Sequence, residues 1–324
     1  MDILEQLHLS SPFGNGKSLT WDPSDQNFGS EVIKFVTSQM GELDDLGLTI
    51  PDAWQDKDNV LSHRQIDDFS ADFNRIVLAF RNGHFQNQTP GDRYALNWQM
   101  GRSFSDESIK EVMALTRRLT VQRDRELEGV SIGTGKYGEM SAEQMLSIVD
   151  ELHLGRNDVF MDLGSGIGHL VACAAISSTV RTSVGIEFIT TRAKKALEYR
   201  QALRSVLEWF GRGDSIGEIV LHEGSFLENR HKDFIKTQAT VIFVNNYAFR
   251  AETTNELKTV FAECQPGTRI VSTAPFVTKK DQERMSRQLR DPLPAKVRLS
   301  QLRTTQNNNG FRSSSCEIHM MTVH

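Results

Sequence analysis

The chain has 324 residues, enough for two domains or one enlarged domain with a sizeable core. Its 38% hydrophobic and 24% charged residues are ordinary for a globular protein, and a net charge of −5 argues against coating nucleic acid by bulk charge. Cys173, Cys264 and Cys316 stand far apart with no CxxC pair, so neither a disulfide framework nor a structural zinc site is expected, and the compartment reads as reducing.

Met1-Asp2-Ile3-Leu4-Glu5 lacks the basic start and apolar run of a secretory signal. No apolar stretch approaches the roughly 18–20 residues that a membrane span needs, so a soluble intracellular protein with no membrane partner is expected. The first 25 or so residues, rich in Ser, Gly and Pro, read as loose. Helices are expected at Glu31–Met40, Gln65–Phe80 and Asp106–Arg125, the last from Ile109, Val112, Met113, Leu115 and Leu119 at helical spacing. Up to Ser70, acidic residues outnumber basic ones roughly threefold. Residues 1–130 are therefore expected to form an acidic, mostly helical accessory domain, closed by a glycine-rich joint at Gly129–Gly135.

From 131 to 324 the pattern changes. Ser141-Ala142-Glu143-Gln144 fits a capping box ahead of a helix ending at Leu152. Strands are expected at Val159–Leu163, Thr182–Glu187, Glu218–His222, Val241–Asn246 and Arg269–Thr273. Helical patterns lie between them, notably Arg192–Phe210, and Cys316–Val323 reads as an added edge strand. Strands alternating with helices give an α/β fold, a mostly parallel sheet with helices on both faces. The stretch after Thr278 is net basic, with Lys279, Lys280, Arg284, Arg287, Arg290, Lys296, Arg298 and Arg303. It reads equally as a solvated surface helix and as a stripe meeting DNA or an acidic histone surface.

The strongest chemical signal is Val159–Gly168, an apolar strand running into Asp162-Leu163-Gly164-Ser165-Gly166-Ile167-Gly168. Glycines there let the backbone turn sharply and approach a ligand, and Glu187, ending the next strand, suits the two hydroxyls of a ribose. Dinucleotide sites favour GxGxxG to seat a pyrophosphate on a helix end, whereas here an acid precedes GxGxG. S-adenosylmethionine carries a sulfonium and an ammonium and no phosphate, so Asp162 favours it over NAD. No metal is implied. His169 stands on the first turn of the following helix as a candidate base, though methyl transfer to an amine demands none.

With Tyr137-Gly138-Glu139 upstream and Val241-Ile242-Phe243-Val244-Asn245-Asn246-Tyr247-Ala248-Phe249 downstream, the chain resembles the disruptor-of-telomeric-silencing family of non-SET histone-lysine methyltransferases, roughly from Tyr137 to Val277. The resemblance implies a Rossmann-like class I methyltransferase fold, a nuclear address and a substrate lysine in the globular core of histone H3 on nucleosomes. It gives Asp162, Gly164, Ser165, Gly166, Gly168, His169, Glu187 and Ser225 to the cofactor, with Tyr137 and Glu139 on a covering loop. Phe226 would pack on the adenine, Asn245 would sit beside the methyl group and Phe249 would line the lysine channel. Asn245, Tyr137 and Phe249 are the catalytic candidates. Ser225 replaces the family's acid, Met140 a threonine and His169 a glutamine, and the channel aromatics have no evident counterpart between Leu302 and Cys316. A weakly active or inactive cofactor-binding or chromatin-binding paralogue is therefore one alternative. A nucleic-acid amino methyltransferase is another, although Asn245-Asn246-Tyr247 lacks the two prolines such enzymes carry.

Overall fold

The computed structural model describes residues 7–11, 17–21, 24–40, 51, 59–81, 105–121, 127, 140–213, 216–284, 293–302 and 318–324. It divides into two units, Met1–Thr120 with Gln201–Ser215, and Val121–Arg200 with Ile216–His324.

In the first unit, strands β1 (Leu7–Ser10) and β2 (Ser18–Trp21) pair antiparallel. This corrects the expectation of a loose start. Alternation buries Leu9, Leu19 and Trp21, and four-residue strands are too short for that alternation to stand out in the sequence. Helix α1 (Gln26–Met40) begins earlier than expected because Asp25 Oδ1 accepts the Phe28 N–H at 2.9 Å, a cap at its start. Ser62 and Gln65 cap α2 (His63–Arg81) reciprocally. Helix α3 (Asp106–Thr120) carries Asp106 and Glu107 in its first turn and Arg117 and Arg118 in its last, the arrangement a helix dipole favours. Phe73 stacks on Trp209 at 6.3 Å, while the Trp209 Nε1–H donates to the Leu9 carbonyl at 2.9 Å. Burying the indole therefore leaves no donor wasted.

The second unit opens with α4 (Ala142–Leu152), whose capping box is the one read from Ser141 and Gln144. There follow β3 (Val159–Leu163), α5 (His169–Ser177), β4 (Thr182–Glu187), α6 (Thr190–Trp209), β5 (Glu218–Glu223), α7 (Asn229–Thr237), β6 (Val241–Val244), α8 (Ala251–Phe261) and β7 (Arg269–Ser272). The short helices α9 (Lys279–Arg284) and α10 (Leu293–Lys296) then lead to β8 (Val297–Gln301) and β9 (His319–Val323). Helix α6 gives its residues up to Arg200 to this unit and those from Gln201 to the other.

Among the described residues the seven strands run β5-β4-β3-β6-β7-β9-β8, parallel except at β9, which is antiparallel to both β7 and β8. Every residue of β3 and β6 is buried, as a parallel strand covered on both faces requires. Strand order reverses between β3 and β6. There the crossover helices leave to opposite faces and open a crevice at the strands' carboxyl ends.

The amino ends are closed by polar contacts. Asp158 accepts from Thr240 Oγ1 at 2.7 Å, from the Gly155 N–H at 2.8 Å and from Arg269 at 3.2 Å. Arg269 also donates to the Leu152 carbonyl. Burial alone would raise the Asp158 carboxyl, but these donors outweigh it and hold the group below its ordinary value.

Candidate functional site

At the carboxyl end of β3 the chain turns through Gly164, Gly166 and Gly168, with φ of 90°, 56° and 84°. A side chain is strained at such angles. A Cβ on Gly164 would meet nothing within 4 Å, so the outer side of this turn is open to a ligand. Its inner side is tight. The N–H groups of Gly164 and Ser165 both donate to the Ile186 carbonyl, at 2.9 and 3.1 Å, and draw the loop onto β4. A Cβ on Gly185 would lie 2.6 Å from Ser165 Oγ, so that strand position must be bare for the loop to seat. Gly185 was missed from sequence because a glycine inside a strand offers no motif. Its meaning comes from the loop laid across it.

Two carboxyl groups face this turn. Glu187 is 5% exposed; its Oε2 accepts the Gly166 N–H at 2.8 Å and its Oε1 the Ile189 N–H at 2.7 Å. Those bonds fix the carboxylate and leave acceptor capacity on both oxygens. Asp162 is also 5% exposed, and burial, with the Glu187 charge acting in the same sense, pushes its carboxyl up to about 8. Among the described residues, no cation offsets either of these effects. Two buried acids beside an open glycine turn suit a ligand that brings hydroxyls and positive charge, and suit a phosphate badly. An adenosyl sulfonium with a free ammonium has that chemistry, and the residues fit it.

His169 is buried at the start of α5 with its ring against Tyr199 of α6, centroids 4.7 Å apart. On the next strand end, Ser225 is turned into its own bend. Its N–H donates to Glu228 Oε1 at 2.9 Å and its hydroxyl oxygen accepts the Leu227 N–H at 3.1 Å. Phe226 and Phe249, expected in separate roles, stack on each other at 5.7 Å and 23° against the apolar core.

Beyond β6, Asn245 and Asn246 diverge. The half-buried Asn245 accepts from Thr273 Oγ1 at 3.0 Å. Asn246 is buried and doubly bonded to Ala274, accepting its N–H at 2.8 Å and donating to its carbonyl at 2.9 Å. It thus continues the β6–β7 pairing past the strands' ends, a structural task that the sequence motif does not distinguish from that of its neighbour. Asp162, Gly164, Ser165, Gly166 and Glu187 are brought together at one turn. Tyr137 and Glu139 lie outside the described residues.

Compared with known proteins, residues 120–323 match the family described as histone methylation protein DOT1. The Caenorhabditis elegans "histone-lysine N-methyltransferase, H3 lysine-79 specific" is 30% identical over 98% of this chain, which spans 33% of that protein's length. The Drosophila melanogaster protein of the same name is 36% identical over 43% of this chain and 7% of its own length. One from Cryptococcus neoformans is 33% identical over 44% of this chain and 22% of its own. The chain therefore spans a third or less of each of these three relatives.

Proposed function

The chain belongs to the DOT1 family of histone methylation proteins, and from that membership we propose that it is an S-adenosylmethionine-dependent histone-lysine methyltransferase. Its substrate on this reading is a lysine in the globular core of histone H3, presented by the nucleosome. The observation that carries the reading is the pair of buried carboxyls, Asp162 and Glu187, flanking an open glycine turn where strand order reverses.

S-adenosylmethionine, when bound, supplies the methyl group already activated as a sulfonium. Asp162 and Glu187 hold its charged and hydroxyl-bearing parts, and Gly164, Ser165, Gly166 and Gly168 let the backbone approach. His169 supports the turn from the buried face of α5. Asn245 at the end of β6, with Phe249 beyond it, orients the incoming amine, and Tyr137 and Glu139 belong to a loop that closes over the site. Fixing two reactants in line contributes roughly 7–11 kcal/mol of barrier lowering in well-oriented systems. The amine must arrive uncharged, which for an ordinary lysine of pKa about 10.4 costs about 4.6 kcal/mol at pH 7. An apolar channel reduces that cost by disfavouring the ammonium form, so no dedicated base is required.

Nuclear location follows from the same reading, as does contact of the basic stretch after Thr278 with nucleosomal DNA or an acidic histone surface. No helix among the described residues is long and apolar enough to cross a membrane. The stacking of Phe249 on Phe226 favours a second reading, a chain that binds cofactor with little turnover.

Labelled S-adenosylmethionine offered with nucleosomes, free histones or RNA separates the readings. Label in the H3 core on nucleosomes is the expected result. Label confined to RNA would refute the proposal, and tight binding without transfer would move the chain to the second reading.

A further inference from the structure

We infer that His231 is a positioning residue of the cofactor crevice: it clasps the bend at residues 224–227 from behind, and acid loosens that clasp through the adjacent His222. The inference rests on the cofactor reading above.

The bend lies at the carboxyl end of β5, and its Gly224 N–H donates to the Glu187 carbonyl at 2.9 Å. Three side chains converge on it from the start of α7. Glu228 Oε1 accepts the Ser225 N–H at 2.9 Å, and Arg230 donates to Glu228 Oε2 at 2.9 Å and to the Glu223 carbonyl at 3.2 Å. His231, 5% exposed, sets its Nδ1 2.7 Å from the Ser225 carbonyl. A carbonyl can only accept, so Nδ1 carries the hydrogen and Nε2 is left as an acceptor. That Nε2 is buried, with no partner among the described residues. A Cβ on Gly224 would lie 2.6 Å from Glu228 Oε1 and 3.3 Å from His231 Cε1, so the clasp is closed directly on the backbone. Phe226 follows Ser225 and stacks on Phe249, so the same clasp sets where that ring lies.

The His222 ring, on β5, stands 5.5 Å from that of His231. Burial first, then the His231 and Arg230 charges, hold His222 below its ordinary value of 6.5. Carboxyl groups are near as well. His222 lines a small cavity with Ser165, Glu187 and Glu223, to which α6 gives Ala193, Ala196 and Leu197 and no charged group among the described residues. Those acids do not reverse the direction. The fold therefore accommodates the neutral ring; the stability this lends is present above 6.5 and is lost as pH falls through the lowered folded value. A proton on His222 sets a cation against Arg230 and His231, the two side chains of α7 that hold the bend.

Calorimetric titration with S-adenosylhomocysteine at pH 7.5 and pH 5.5 tests this on the wild-type chain, His231→Ala, His231→Asn and His222→Asn. At pH 7.5 His231→Ala is expected to bind about fivefold more weakly, the worth of one lost hydrogen bond. His231→Asn, whose amide still donates to the Ser225 carbonyl, is expected to stay within about twofold of wild type. Moving to pH 5.5 is expected to cost wild type at least about threefold more affinity than it costs His222→Asn. Asp162 titrates in both, so the comparison removes its share. If His231→Ala does not fold, the acid comparison of wild type with His222→Asn decides alone. Unchanged affinity in His231→Ala, equal losses in His231→Ala and His231→Asn, or equal acid losses in wild type and His222→Asn would each overturn the inference and leave the cofactor reading standing. A wild-type chain that binds no S-adenosylhomocysteine at pH 7.5 overturns both.

Discussion

Asp162 is where the physics of the site is most exposed to measurement. Its carboxyl, pushed up to about 8, holds a proton in the free folded chain at neutral pH, whereas in the unfolded chain it ionises near 3.8. The stability it contributes is fully present below 3.8 and is lost as pH rises through about 8. The free protein should therefore melt lower at pH 9 than at pH 6, and Asp162→Asn should remove most of that difference. A cationic ligand favours the ionised carboxyl, so binding at pH 7 should release a proton from Asp162. Titrating S-adenosylmethionine calorimetrically in buffers of different ionisation heat measures that release. Comparing wild type with Asp162→Asn cancels any proton lost by the ligand itself. Equal proton release in the two would mean that Asp162 does not face the cation.

At the scale of elements, the proposed function gives the two asparagines after β6 different tasks, Asn246 a structural one and Asn245 a chemical one. Asn246→Ala leaves both the N–H and the carbonyl of Ala274 without their partner, at a cost of about 1–3 kcal/mol. For a unit of this size each kcal/mol is worth roughly 2–4 °C of melting temperature. Asn245→Ala breaks one half-buried bond to Thr273, so it should melt near wild type while losing methyl transfer. Equal melting of the two variants would contradict this assignment. The sequence distinguished the elements here better than their tasks. Strands β3 and β4 were legible because strands buried on both faces are mainly apolar, with Asp162 and Glu187 near their carboxyl ends as the polar exceptions that mark the site. β8 went unseen: Val297-Arg298-Leu299-Ser300-Gln301 alternates over only five residues, and its arginine drew it into a basic stripe. The glycine turn and Glu187 were legible because their chemistry is local. The bareness of Gly185 and the stacking of Phe226 on Phe249 depend on residues distant in sequence, and no spacing rule carries them.

Across the whole molecule, net charge and local charge pull apart. The chain is acidic overall, yet Lys279 and Lys280 on α9 and Arg298 on β8 are exposed close together, and Lys279, Arg298 and His324 line an open groove. Lys296 is committed elsewhere, its ammonium donating to the Ala262 carbonyl at 2.8 Å, so its loss should lower stability before it lowers binding. A negative chain approaching a nucleosome gains nothing from its average charge and must rely on such a patch. If the patch meets DNA, each phosphate contact releases condensed counterions, and the log–log slope of affinity against salt counts those contacts. Replacing Lys279 or Lys280 by alanine should then shallow that slope by about one each, with affinity falling alike on nucleosomes of different DNA sequence. A patch that instead meets a histone acid would lose affinity with the slope almost unchanged, because a carboxylate carries no condensed counterion layer to release. Measuring nucleosome affinity between low and physiological salt for these variants therefore identifies the partner as well as the interface. Unaltered affinity in both variants would show that the basic stretch does not take part in binding.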